Sequence, residues 1–297
     1  MKMTKKILAV VLAALIAVAV FAGCSKDNSA TTDATVKTEK VKVIDIDLSD
    51  EVYALGVNKD DAELLAKANE FISKIKADGS FDEICTHYFG DGEPVGVTSA
   101  AEDTSKDQLV VATNAEFEPF EYKNGEQFYG IDMEVVKAFA DYLGKELVIK
   151  DMNFDAVVTA VQQGKCDLAA AGLTVSPDRA EQVNFTDSYY AASQKLVVKG
   201  DDTKFDSCQT KEDVDAILGA LDASAKIGGQ NGTTGQTYVE GDLDNPDGFG
   251  FAGLPAQFVG YANGSLAVQD LINGGVDYVI IDAAPAAAIT TAINAVA

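Results

Sequence analysis

Among its 23 lysines and arginines the chain holds a single arginine, Arg179. Lysine serves solubility, whereas a guanidinium is a planar fork that makes two parallel charge-assisted hydrogen bonds to a carboxylate. Arg179 closes the stretch GLTVSPDR (172–179), just inside a helix that Ser176 and Pro177 open as N-cap and first helical residue. Its chemistry is anion recognition, and the plain alternative is a structural ion pair with one of the 47 acids. A second candidate is Asp282, which ends the apolar run VDYVIID (276–282). A carboxylate at the C-terminal edge of such a strand faces the crevice of an α/β sheet, although capping a helix from Ala283 competes for the same oxygens. The Gly-rich stretch GGQNGTTG (228–235) could offer backbone N–H groups to an anion. It lacks both the Gly-Lys-Ser/Thr of a P-loop and the G-x-G-x-x-G spacing, so a phosphate cradle is the weaker reading.

Other chemistries are poorly supplied. One histidine (His87) and four widely spaced cysteines cannot assemble a standard zinc site, and a lone His without a Ser or Cys partner makes no triad. His87 falls in an amphipathic stretch and is expected as a surface or cap residue. Asp242, Asp244 and Asp247 ahead of Gly248 approach a calcium loop, but the third acid is one place late and no spaced Glu follows. They read as a solvated acidic turn, and neither metal nor cofactor is expected. A formal charge of −24, with no basic stretch beyond the first six residues, excludes nucleic acid, whose phosphates demand a positive face. Trp is absent, so 14 Phe and 10 Tyr must supply any large flat contacts.

The elements that would position these residues alternate from residue 109 onward. Leu109 to Thr113 reads as a buried strand, and Asp132 to Leu143 as a helix stopped by Gly144. Strand, helix and strand follow at Lys145 to Ile149, Phe154 to Gln163 and Asp167 to Ala171. Further strands are predicted at Gln194 to Val198, Lys226 to Gly228 and Asp277 to Asp282, with helices at Lys211 to Leu221 and Ser265 to Ile272 and an Ala-rich helix at the end. Alternation of this kind predicts an α/β fold with largely parallel sheets.

The first residues carry an export address. Lys2, Lys5 and Lys6 precede an unbroken apolar run from Ile7 to Phe21, shorter than the ~20 residues that span a bilayer. Residues 1–23 are read as a signal peptide. Val20-Phe21-Ala22-Gly23-Cys24 resembles a bacterial lipobox, which makes Cys24 the expected lipidation site and 24–40 a flexible, membrane-anchored tether outside the cytoplasm. Lipidation of Cys24 leaves Cys85, Cys166 and Cys208, an odd number expected as free, mostly buried thiols.

Five segments in order resemble the extracellular amino-acid-binding proteins of ABC importers: TNAEFEPFEY (113–122), YGIDMEVVKAFADYLG (129–144), NFDAVVTAVQQGKCDLAAAGLTVSPDRAEQVNFTDSYY (153–190), GGQNGTTGQTY (228–238) and LINGGVDYVIIDAAPA (271–286). The resemblance implies a two-lobed periplasmic-binding-protein fold of type II with a ligand cleft between lobes and two hinge crossings. It further implies Arg179 on the α-carboxylate of an amino acid and Thr234 as a second carboxylate contact from the opposite lobe. Thr174 and Gly172 would complete that polar ring, and Asp282 would take the α-ammonium. Phe117 and Phe154 match positions whose rings sandwich the ligand side chain, and Asn114, Glu116 and Gln230 lie where side-chain identity is read. Asn114 replaces an acid often found there, so a neutral polar or small amino acid is expected. The implied partners are the amino acid, permease subunits and, through the lipid, the membrane, with the protein a monomer. The alternative on the same fold is a cyclic-acid dehydratase, with Glu116 as its one candidate acid or base, or a ligand-sensing receptor module.

Residues 41–90 look like the ending of that family's chain placed at the front. The stretch contains an apolar strand (Val41 to Ile46), a crossing near Tyr53 to Val57, and helices at Asp61 to Ala77 and Phe81 to Phe89. Together 41–90 and 108–297 make one complete two-lobed unit with nothing repeated, which predicts a circular permutation. DGEPVGVTSAAEDTSKD (91–107) is read as a flexible segment joining the old ends. One lobe is expected to comprise 53–195, including that linker, and the other 41–52 with 196–297, with crossings at 53–58 and 191–197.

Overall fold

The computed structural model describes residues 39–245 and 248–296. The apolar N-terminal run, Cys24, most of the tether and Asp247 lie outside them. No helix among the described residues is long and apolar enough to cross a membrane.

Two five-stranded sheets carry the α/β architecture. In one, Val41–Ile44 lies antiparallel to Gln194–Lys199, which lies antiparallel to Tyr278–Asp282. Lys226–Gln230 and then Gln257–Tyr261 continue it in parallel. In the other, the order is Val183–Phe185, Gly56–Asn58, Leu168–Ala169, Gln108–Thr113 and Glu146–Asp151. There the first two pairings are antiparallel and the last two parallel. The expectation of largely parallel sheets is therefore corrected to mixed sheets. The α/β repeats supply the parallel pairs, and the segments that pass between the lobes enter each sheet running the other way. All five residues of Tyr278–Asp282 are buried, which is what a central strand covered on both faces requires of the sequence YVIID.

The front segment docks on both lobes. Val41–Ile44 forms an edge of the sheet that contains Tyr278–Asp282, and Asn294 from the closing helix Ala283–Ala295 accepts from the Lys40 N–H at 2.9 Å and donates to the Val41 carbonyl at 2.8 Å. Asp61 caps the helix Ala62–Asp78 by accepting from Leu64 N–H at 2.9 Å. Leu64, Ala68, Phe71, Ile72 and Ile75 make its buried stripe. Phe71 packs on Phe139 of the helix Ile131–Leu143, ring centroids 5.1 Å apart.

Residues 91–107 run along the first lobe rather than free of it. Val97 exchanges two backbone hydrogen bonds with Phe128, Ala100 N–H donates to the Leu147 carbonyl, and Ile149 N–H donates to Ser99 Oγ. The edge strand Glu146–Asp151 offers unpaired backbone groups, and the linker satisfies some of them. His87 also departs from the surface or cap role expected for it. The helix Ser80–Phe89 turns its ring to Glu134, Nδ1 to Oε2 2.8 Å, and the same carboxylate accepts from the Tyr88 hydroxyl and Val95 N–H. Cys85, Cys166 and Cys208 are free thiols, the latter two buried.

Two short antiparallel strands, Glu51–Tyr53 and Tyr190–Ala192, join the sheets. Tyr53 stacks on Tyr190 at 5.7 Å and Tyr190 on Phe89 at 5.9 Å, with Phe120 edge-on to Tyr190 at 4.9 Å. This aromatic column stiffens the crossing, because offset and edge-to-face rings lock relative orientation as well as burying area.

Candidate functional site

The cleft floor is built from strand ends and the loops that follow them. Arg179 sits in the short helix Pro177–Ala180, whose Ser176 cap accepts from the Arg179 N–H, so backbone capping aims the side chain. Its guanidinium donates through Nη1 to the Thr174 carbonyl at 2.8 Å and through Nη2 to the Gly232 carbonyl at 2.9 Å, and it lies over the Phe154 ring 5.2 Å from the centroid. Gly232 belongs to the other lobe, so the fork already crosses the cleft. Burial pulls the guanidinium below its usual pKa, partly offset by Asp282 and Glu51. In this arrangement the Phe154 ring faces the Arg179 guanidinium. Phe117 is buried and lies against Gly172.

Asp282 ends Tyr278–Asp282 and precedes the helix Ala283–Ala295, yet its side chain makes no cap hydrogen bond. Its Oδ1 instead accepts from the Tyr53 hydroxyl at 2.5 Å, and the residue is 5 % exposed. Burial first, and then Glu51, push its pKa up to about 7. The Asp282 carboxyl thus accepts from the hinge tyrosine Tyr53 and not from the first-turn N–H groups of the helix it precedes.

Thr234 is buried as the first residue of the helix Thr234–Glu240. Thr233 ahead of it donates its hydroxyl to the Gln230 carbonyl and makes no side-chain cap hydrogen bond to the helix. Gln230 and Asn114 meet across the cleft, Nε2 to Oδ1 2.9 Å, and Asn114 also donates to the Met152 carbonyl. Glu116 is exposed and accepts from Asn263 of the other lobe at 2.8 Å.

Two expected contacts change character. The Gly172 N–H donates to Asp132 Oδ2 at 2.8 Å, and the Thr174 hydroxyl donates to Glu51 Oε2 at 2.8 Å. Neither hydrogen is left for a ligand carboxylate, because buried acids behind the site take both. Gly172 retains a steric role: at φ 50° a Cβ would come 2.7 Å from the Phe117 ring.

Cavities flank the closed cleft on two sides. One of about 130 Å³ is lined by Arg179, Gly232 and Thr234, and one of about 330 Å³ by Glu116, Phe117, Asn263 and Ile281. The acids behind the floor, Glu51, Glu121 and Asp132, were not singled out from sequence. They are single polar residues in strands or at a helix start, and only the assembled fold shows them buried together. Burial raises Asp132 to about 6 and lifts Glu121 far above the usual carboxylate range, with neither Glu121 oxygen hydrogen-bonded. Asp242 organises its loop by accepting from the N–H groups of Phe249 and Phe251.

The family model of the bacterial extracellular solute-binding proteins, family 3, matches residues 109–280, more than half of the chain. The chain belongs to this family. Among the relatives of this solute-binding protein is the arginine-binding extracellular protein ArtP of Bacillus subtilis (strain 168), 38 % identical over 106 residues, covering 36 % of this chain and 42 % of the relative. A probable histidine-binding protein of Campylobacter jejuni is 33 % identical over 125 residues, covering 42 % of this chain and 44 % of the relative. The solute-binding protein thus spans less than half the length of these two relatives. The crystal structure of an ancestral amino-acid-binding protein, a precursor of cyclohexadienyl dehydratase, matches it at 29 % identity with a TM-score of 0.52, covering 62 % of this chain and 75 % of that one. The type II two-lobed fold is shared with such amino-acid-binding neighbours.

Proposed function

We propose that the protein captures a free amino acid between its lobes and delivers it to a membrane permease as the binding component of an ABC importer. It would act as a monomer held outside the cytoplasm by a lipid on Cys24. The observation that carries the reading is the Arg179 guanidinium, turned into the cleft and already bonded across it to Gly232, with Asp282 on the same floor. In the ligand complex the fork exchanges its carbonyl partners for the α-carboxylate, a stronger charge-assisted pairing. Thr234 serves that carboxylate from the other lobe and Asp282 takes the ammonium. Phe117 and Phe154 hold the side chain beside Gly172, Asn114, Gln230 and Glu116. Ligand favours closure by the contacts it makes only when both lobes meet.

For the side chain, the Asn114–Gln230 amide pair supports a neutral polar or small amino acid. A cationic one is the second reading, favoured by Glu116 and Glu118 in the wall of the larger cavity and by the names of the arginine- and histidine-binding relatives. A dehydratase, suggested by the ancestral neighbour, would have to work through Glu116, which is hydrogen-bonded to Asn263. Calorimetry on protein stripped of bound ligand, titrated with each of the standard amino acids, tests the reading. Binding of glutamine or serine over arginine supports the neutral form, the reverse order supports the cationic form, and binding of none rejects import of amino acids.

The domain organisation belongs to the same proposal. The lobes are 53–195 and 41–52 with 196–297, and 41–90 is the family's usual ending moved to the front through the linker 91–107. Docking of the front segment into both sheets supports this, as does the stacking of Phe89 on the hinge tyrosine Tyr190. A reordered chain with 41–90 placed after 297 should fold and bind with unchanged affinity. A reordered chain that is unfolded by circular dichroism would argue for a distinct topology.

A further inference from the structure

The hinge strand Glu51–Tyr53 brings a second carboxyl to Asp282. Glu51 is 3 % exposed, and its Oε1 accepts from Ser49 Oγ at 2.5 Å and from Gln194 Nε2 at 3.1 Å. Its Oε2 accepts from Thr174 Oγ1 at 2.8 Å. Gln194 stands directly opposite Asp282 in the antiparallel ladder, and Tyr53, two residues from Glu51, donates to Asp282. Glu51, Asp282, Gln194 and Thr174 therefore form one buried cluster fed by both crossings. Gln194 is fully buried, and its Oε1 has no protein donor. The cluster is short of a donor, and buried acceptors without one are costly.

We propose that Glu51 is a positioning residue of the ammonium subsite, fixing the Thr174 hydroxyl so that this residue meets the ligand only as an acceptor and sharing with Asp282 the charge of the incoming ammonium. This rests on the amino-acid reading above. A hydroxyl whose hydrogen is committed to Glu51 has only lone pairs left, and an ammonium carries three donors to spend on such acceptors. The groups facing Asp282 are Glu51 and Tyr53 from the hinge strand, Gln194 opposite, Glu121 from the strand Glu121–Asn124, and Arg179. Burial and the neighbouring Glu51 raise the Asp282 carboxyl well above its usual range, so with the one cation assigned to the ligand carboxylate Asp282 holds a proton until the ammonium arrives. Binding then releases that proton. Affinity should be full above about pH 7.5 and fall about tenfold per pH unit below about pH 6.5, because each proton released on binding gives that slope.

The test is calorimetry of the protein with L-glutamine and L-arginine at several pH values in two buffers of different ionisation enthalpy. The expected result is a buffer-dependent heat that reports a released proton near neutral pH, and a pH slope that Glu51→Gln flattens while the variant still binds at pH 8. A uniform loss of affinity in Glu51→Gln with the slope intact would make Glu51 merely structural and overturn the proposal. If that variant does not fold, the unaltered protein decides, since absence of proton release with binding intact also overturns it. If neither binds at pH 8, the same measurements are made with whichever standard amino acid binds, and failure of all of them strikes the amino-acid reading beneath it instead.

Discussion

At the scale of single residues, the chemistry turns on which atoms are already engaged. Arg179 spends its fork on two backbone carbonyls, and in the proposed complex a carboxylate would take their place on a guanidinium already buried and aimed. Arg179→Ala should weaken amino-acid binding by roughly 2 to 4 kcal/mol by calorimetry, the range for removing a charge-assisted partner from a buried anion. Unchanged affinity would assign Arg179 to the framework. The buried acids carry a separate consequence. Asp132 at about 6, Asp282 at about 7 and Glu121 above the usual range all bind protons more tightly folded than unfolded. The native state then holds the extra protons, so stability should fall as pH rises from ordinary carboxylate values through about 7, the reverse of a salt-bridged acid. Urea denaturation at pH 5 and pH 8 checks this, and Glu121→Gln should lessen the difference. The importance of Arg179 was legible from its being alone among lysines. That the Thr174 and Gly172 hydrogens point away from the cleft was not legible, since their takers, Glu51 and Asp132, are distant in sequence and ordinary in type.

At the scale of elements, local signals were largely sufficient. The stripe from Leu64 to Ile75 and the Asp61 cap specify the helix Ala62–Asp78, which forms within a residue of its expected bounds. Asp61→Ala should lower stability by about 1 kcal/mol, the usual worth of an N-cap, while leaving ligand affinity unchanged. A loss of affinity in a folded variant would show that this helix couples to the cleft. Besides the strand Gln257–Tyr261 and the helix Thr234–Glu240, the elements that sequence reasoning missed are short and poorly patterned. The strands Glu116–Phe117, Glu121–Asn124 and Gln127–Tyr129 form a small sheet of their own, and Glu51–Tyr53 and Tyr190–Ala192 form a two-stranded pair that Tyr53 extends by a bridge to Thr174. A three-residue strand has too few alternations to carry a period. Its pairing is decided by a partner that the chain meets only after folding. Strand direction likewise escaped, since an apolar run reads the same way whichever way it enters a sheet.

At the scale of the molecule, the lobes are described closed, with Asn114–Gln230, Arg179–Gly232 and Glu116–Asn263 bonds spanning the cleft. Gln230→Ala removes one of these and should shift the ligand-free protein towards an open form. Small-angle scattering would show this as a larger radius of gyration that saturating amino acid restores. Equal radii with and without ligand in both proteins would mean that closure is not what the ligand drives. Composition, the lone arginine and five ordered motifs determined from sequence the α/β class and the family, because these follow from residue types and local spacing. The tertiary structure alone decided which buried acids stand behind the cleft, which donors they consume and how the front segment inserts into both sheets. Those outcomes depend on contacts between residues from 40 to 229 positions apart, such as Asp132 with Gly172, Glu51 with Thr174 and Tyr53 with Asp282, whose geometry exists only once the chain has folded.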